Sequence, residues 1–130
     1  MSLNDPLANV LSFIQLYERK GKREVLTKNN SKLIKKILTI LNEKGYVGGY
    51  EEITDAKGNL LKINLLGNIN KVGVIKPRFK VKKNEYVKYE KRYLLAKDFG
   101  VLIVSTNKGL MTHTEAKEKG IGGRLVSYCY

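Results

Sequence analysis

Three features of the chain predict an α+β fold made of two small lobes. Apolar stripes at helical spacing recur twice between residues 7 and 41, strand-like runs punctuated by turn residues follow, and further apolar runs close the chain from Val101 onward. Residues 1–68 read as an N-terminal α-β-α-β-β lobe, and residues 69–130 as a C-terminal lobe that is mostly β with short helices. At 130 residues the chain is one domain or two lobes that need a common core. The reason is scaling: a 60-residue unit buries only about 60% of its unfolded surface and a 150-residue one roughly 70%.

The elements follow in order. Asp5 and Pro6 read as N-cap and first helical position, and Leu7, Val10, Leu11, Ile14 and Tyr17 then share one face until Gly21 stops the helix. Lys22 to Thr27 suits a short strand. Ser31 caps a second helix with the stripe Leu33, Ile34, Ile37, Leu38 and Leu41, ended by Gly45. Both helices need a sheet to cover. Tyr46 to Thr54 supplies a strand, residues 55–59 a turn cluster, and Leu60 to Leu66 the returning arm of a hairpin.

Gly67 to Lys71 connects to the second half, which opens with Val72 to Ile75 and Pro77-Arg78-Phe79. Tyr86, Tyr89 and Tyr93, spaced by three and four, predict a short helix over 85–95. Val101 to Val104 is a buried strand leading into a polar strand-to-helix loop at 105–109. Thr112 with Glu115 three residues on makes a capping box, so a helix runs from there to Gly120. Gly122-Gly123 then turns the chain into a last strand, Arg124 to Tyr130, beside Val101 to Ser105.

Charge points to the partner. Lys plus Arg number 25 against 12 for Asp plus Glu, a net charge of +13 that favours a polyanion. Residues 71–97 hold ten Lys or Arg and two Glu, residues 19–36 hold eight and one, and the remainder sums to −2. A lysine run is also what a solvated face or a compositional bias produces. Two separated basic blocks flanking near-neutral segments look more like a footprint.

Other chemistry is excluded residue by residue. Cys129 is the single cysteine, so no disulfide framework or cysteine-based metal site is expected, in keeping with a reducing compartment. His113 is the single imidazole and has no second ligand at metal spacing; it reads as a helix first-turn residue. The Asn107-Lys108-Gly109 run lacks the glycine spacing of a phosphate-binding nucleotide loop. Glu51 and Glu52 alternate across a strand and so do not face one cleft. The expectation is therefore a non-catalytic protein with no cofactor, no metal and no small-molecule substrate. No basic segment followed by an apolar core opens the chain and no apolar run reaches 18 residues, so membrane spanning and secretion are not indicated and the cytoplasm is expected.

The loop carries the specific chemistry. Ser105, Thr106, Asn107, Lys108 and Gly109 put hydroxyls, an amide, a cation and a close-approach glycine at a strand end, the groups that meet base edges and ribose hydroxyls in irregular RNA. Ser, Asn and Gly are equally common in plain strand-to-helix turns for local reasons. The tyrosine stripe has two readings as well: a base-stacking platform led by Tyr86, or the commoner aromatic core stripe.

These residues together resemble a known family. Asp5-Pro6-Leu7-Ala8, Gly21-Lys22-Arg23-Glu24, Ser31-Lys32-Leu33-Ile34, Gly45-Tyr46, Ile69-Asn70-Lys71, Pro77-Arg78-Phe79 and the terminal pattern from Ser105-Thr106 through Gly109, Met111 and Glu115-Ala116 to Gly122-Gly123 are similar to small-subunit ribosomal protein eight in its archaeal and eukaryotic form. The match runs in order over essentially the whole chain. The resemblance implies a two-lobed protein of the small ribosomal subunit. Such a protein binds the central domain of small-subunit ribosomal RNA early in assembly, beside neighbouring small-subunit proteins. The loop matching Ser105, Thr106 and Asn107 would read bases in an irregular RNA helix, with Lys108 near phosphate. Some members also repress translation through a messenger site that mimics the ribosomal one, which makes its own messenger RNA a further partner to test.

The expected RNA contacts follow from the loop, the basic block and the matched motifs. They are Ser105, Thr106, Asn107, Lys108 and Gly109, then Gly122 and Gly123, then Arg78, Lys80, Lys82 and Tyr86, and in the first lobe Asp5, Pro6, Ser31 and Lys32. Three positions depart from the family pattern. Arg124 stands where the bacterial form has a glutamate, so a basic group there would meet phosphate; Gln15-Leu16-Tyr17 replaces a polar Asn near the end of the first helix; and Asn107 replaces a serine.

Overall fold

The computed structural model describes residues 6–28, 31–55, 58–94 and 100–130. The chain divides into two compact units, Met1–Val72 and Gly73–Tyr130, and the fold is mixed α+β with four helices and eight strands among the described residues.

The first unit runs α1 (Pro6–Arg19), β1 (Glu24–Thr27), α2 (Lys32–Glu43), β2 (Val47–Asp55) and β3 (Gly58–Leu65). Its three-stranded sheet has the order β1-β3-β2, antiparallel throughout. Helix α1 packs on β1, α2 on β2, and the helices touch each other. The stripes are what the spacing requires: Leu7, Val10, Leu11 and Ile14 of α1 and Ile34, Ile37, Leu38 and Leu41 of α2 are buried. They meet Val25, Val47, Leu61 and Ile63, which alternate onto the same face of the sheet. Each such side chain contributes about 1.5–3 kcal/mol by leaving water, more than any single capping interaction.

Both ends of α2 are satisfied. The Ser31 hydroxyl accepts from the Ile34 N–H at 3.2 Å, an N-cap of typically about 1 kcal/mol. At the other end Gly45 N–H donates to Asn42 O and Tyr46 N–H to Leu41 O at 3.0 and 2.9 Å, which occupies the orphan carbonyls of the last turn. Asp5, expected to cap α1, lies outside the described residues. The turn expected at 55–59 is shorter than its composition suggested. Asp55 pairs with Gly58 and Thr54 with Asn59 in the β2–β3 ladder, because register pins these residues as strand.

The second unit contains β4 (Val72–Val74, its first residue on the division), β5 (Lys80–Val81), α3 (Tyr86–Tyr93), β6 (Val101–Thr106), β7 (Gly109–Thr112), α4 (His113–Lys119) and β8 (Gly123–Cys129). The sheet order is β4-β8-β6-β7, with β5 also on β8. Its core gathers Ile75, Val81, Tyr86, Tyr89, Leu94, Leu102, Val104, Met111, Ala116 and Leu125. Thr112 caps α4 by accepting from Glu115 N–H at 3.3 Å, as the spacing of the two residues predicts.

One expectation about this unit needs correction. Residues 105–109 are not a strand-to-helix loop but the end of a hairpin: Ser105 pairs with Leu110 and Thr106 with Gly109, so only Asn107 and Lys108 are left to turn the chain. The capping signal at Thr112 is real, yet a four-residue strand fits between it and the turn. Leu110 and Met111 were too short an apolar run to announce it.

His113 opens α4 and is buried. Its Nδ1 accepts from Leu102 N–H at 3.0 Å, which puts the ring proton on Nε2, 3.4 Å from Glu90 Oε1. Glu90 also carries Lys117 as an ion-pair partner. The imidazole thus ties β6, α3 and α4 together, and among the described residues no three His, Cys, Asp or Glu side chains converge on a metal position.

Candidate nucleic-acid interface

Strand β8 organises the site. Arg124 pairs with Lys80 of β5 and with Ser105 of β6, so one row across three strands reads Lys80, Arg124, Ser105. Residues in one row share a face of the pleat, and all three are exposed. Gly122 and Gly123 let the strands come this close. A Cβ on Gly122 would strike the Val81 carbonyl oxygen, and one on Gly123 the Ser105 carbonyl oxygen, both of them backbone atoms that cannot swing aside.

A cleft of about 730 Å³ opens over this row, lined by 80–83, Glu85, 105–107 and 122–124. Its one carboxylate is occupied by backbone: Glu85 Oε1 accepts from Lys82 N–H at 2.9 Å while Glu85 N–H donates to Lys82 O at 3.0 Å. Lys80, Lys82, Lys83 and Arg124 remain exposed, and among the described residues none of the four has an ion-pair partner. Lys80 and Arg124, directly opposite in the ladder, repel each other. Like charges in that position cost roughly 0.2–1 kcal/mol, a cost that a bound anion removes.

The hairpin tip supplies the uncharged groups. The Thr106 hydroxyl donates to Gly109 O at 2.8 Å and accepts from Lys108 N–H at 3.1 Å. Gly109 sits at φ +107°, a conformation that side-chain-bearing residues rarely adopt. Together they hold the two-residue turn, and the Asn107 amide and Ser105 hydroxyl stand exposed without a hydrogen bond among the described residues.

A family model described as ribosomal protein S8 matches residues 5–130. The chain belongs to the ribosomal protein S8 family. It is therefore a small-subunit ribosomal protein that binds ribosomal RNA, of a family that is structural and not enzymatic. No helix among the described residues is long and apolar enough to cross a membrane.

For an S8 protein the cleft gathers Ser105, Thr106, Asn107, Lys80, Lys82, Gly122 and Gly123 from among the expected contacts. Lys108 and Gly109 adjoin it in the hairpin turn. Two members change role: Thr106 spends its hydroxyl inside the turn, and the glycines act by admitting backbone, not by touching RNA through a side chain. Arg124, noted from sequence only as a departure from the bacterial pattern, sits at the centre of the row. Its strand neighbours Lys80 and Ser105 are far apart in sequence, so only pairing could reveal it.

Other expected contacts lie elsewhere. Tyr86, expected as a stacking residue, is 1% exposed, and its hydroxyl donates to Ile121 O at 2.9 Å. Its ring is core and presents no face to a base. Burial pushes the phenol pKa up, which keeps it a donor. The bond fixes α3 to the segment leading into Gly122, so Tyr86 shapes the cleft wall from behind. Arg78 is exposed but does not line the cleft. Pro6, Ser31 and Lys32 belong to the first unit, where Pro6 starts α1, Ser31 is a helix cap and Lys32 is exposed on the first turn of α2. Asp5 is outside the described residues.

Proposed function

We propose that the cleft binds the central domain of small-subunit ribosomal RNA at an irregular, internally looped helix, and that this contact supports early folding of that RNA and assembly of the subunit. The observation that carries the reading is the row Lys80, Arg124, Ser105 beneath the Asn107 tip. Unpaired cations there supply sequence-independent affinity through phosphate. An exposed amide and hydroxyl beside them supply donors and acceptors for base edges and 2′-hydroxyls. The rigid hairpin sets both at a fixed separation, which favours RNA of one particular shape.

The test is binding of the purified protein to a central-domain RNA fragment and to a duplex of equal length. Asn107→Ala is expected to weaken the fragment complex by about 1–3 kcal/mol, the scale of one lost base-reading pair, and to leave duplex binding unchanged. Equal effects on both RNAs, or none on either, would remove Asn107 from base reading. Failure of the wild type to prefer the fragment would remove the central-domain assignment.

A further inference from the structure

The second unit carries another basic surface, on helix α3. Lys88 and Arg92 are one helical turn apart, at a spacing that places them on one face, and both are exposed. Neither is loose. Lys88 Nζ lies 5.5 Å from the centroid of the Tyr89 ring, and Arg92 Cζ lies over Phe79 and Tyr93 at 4.9 and 5.3 Å. The rings beneath them are themselves coupled, Phe79 to Tyr89 at 5.6 Å and Tyr93 to Tyr128 at 5.7 Å. The result is two cations seated on an aromatic bed whose inner edge is the core of the unit.

This surface is separate from the cleft. Over residues 79–82 exposure alternates: Phe79 and Val81 turn toward the core while Lys80 and Lys82 turn out. Phe79 thus carries Arg92 on the other side of the segment that presents Lys80 to the cleft. None of Phe79, Lys88, Tyr89, Arg92, Tyr93 or Tyr128 lines that cleft. Among the described residues no carboxylate is paired with Lys88 or Arg92.

We propose that Lys88 and Arg92 are a second phosphate-binding site, holding an RNA segment other than the one in the cleft, so that the second unit clamps two strands. The proposal rests on the RNA reading of the cleft in that a second segment presupposes a first. A guanidinium laid on rings gives up its faces but keeps the N–H groups of its edge, which bind a phosphate through two parallel hydrogen bonds. Seating it there also removes most of the conformational freedom that an arginine otherwise loses on binding. Two like charges held one turn apart, with no internal counter-charge, suit a strand whose phosphates repeat at a comparable interval. An acidic peptide is the competing occupant, and it matches neither that regular repeat nor the chain's net charge of +13 as a partner that must be shared with RNA.

The experiment compares two RNAs: a short internally looped hairpin that only fills the cleft, and full-length small-subunit ribosomal RNA. Lys88→Gln with Arg92→Gln is expected to leave affinity for the hairpin unchanged. With full-length RNA it should flatten the plot of log affinity against log salt by roughly 1.4–1.8, two contacts at about 0.7–0.9 each. Arg92→Lys, which keeps the charge but not the planar fork, should weaken full-length binding while preserving the slope. Lys88→Gln alone, away from the two-ring seat, gives half the slope change should the double variant fail to fold. An unchanged slope on full-length RNA overturns the proposal, as does an equal loss on the hairpin. Unchanged RNA binding together with lost association with other small-subunit proteins overturns it in favour of an acidic protein partner. Asn107→Ala run in parallel reports on the cleft: if it affects neither RNA, the cleft reading fails, whatever α3 does.

Discussion

Arg124→Gln is expected to move stability and RNA affinity in opposite directions. Arg124 and Lys80 face each other across β5 and β8, and two unit charges about 5 Å apart in water repel by about 0.8 kcal/mol. Screening over a Debye length of about 8 Å at physiological salt roughly halves that. Removing one charge should therefore stabilise the free protein by about 0.4–0.8 kcal/mol, or roughly 2–3 °C in melting temperature for a chain of this size. The gain should shrink as salt is added. Against RNA the same variant loses a phosphate contact, so affinity falls and the salt slope drops by roughly 0.7–0.9. Thermal unfolding across a salt series, paired with filter binding on the same preparations, reads both effects. A variant that is less stable than wild type, or one whose salt slope is unchanged, would mean that the two cations are not opposed over the RNA site.

Replacing Lys80, Lys82 and Lys83 together by Gln should weaken cognate and non-cognate RNA alike and lower the salt slope by roughly 2; identical slopes would show that this block does not touch phosphate. Tyr86→Phe should cost about 0.5–1.5 kcal/mol of stability by deleting the bond to Ile121 O, measured by denaturant unfolding, with no change expected if that carbonyl finds water instead. Gly123→Ala drives a Cβ into the Ser105 carbonyl and to 2.8 Å from Val104 Cγ1; overpacking of this kind costs about 1–3 kcal/mol, and RNA binding should fall with it because β6 and β8 must part under the hairpin. Glu18 tests the first unit: burial raises its pKa above 4.5, outweighing the N–H donors of Ile69 and Gly67. A raised folded pKa stabilises below the unfolded value and is lost as pH rises through the folded one. The stability difference between wild type and Glu18→Gln should thus decline as pH rises from about 4.5, and a difference that is flat or rises over that range would contradict the burial argument.

Much of the fold is legible because its causes are local. The stripes at 7–14 and 34–41 bury as their spacing demands, Ser31 and Thr112 cap the helices they precede, and the strands at 101–106 and 123–129 pair as their apolar runs suggest. The positive charge and the polar run at 105–109 likewise announced an RNA partner before any coordinates did. The site was less legible. Strand β5 is two residues long and β7 four, below the length at which alternation stands out from noise. Without them Lys80, Arg124 and Ser105 have no reason to be neighbours. The exposure of Tyr86 depends on which side of α3 faces the sheet, and periodicity reports that a face exists without saying what covers it. Composition and local spacing therefore determined the elements, the class of partner and the residue types available for binding. Tertiary structure decided which of those residues meet, because strand register and the closeness of backbone at Gly122 and Gly123 join segments that the chain keeps more than twenty residues apart.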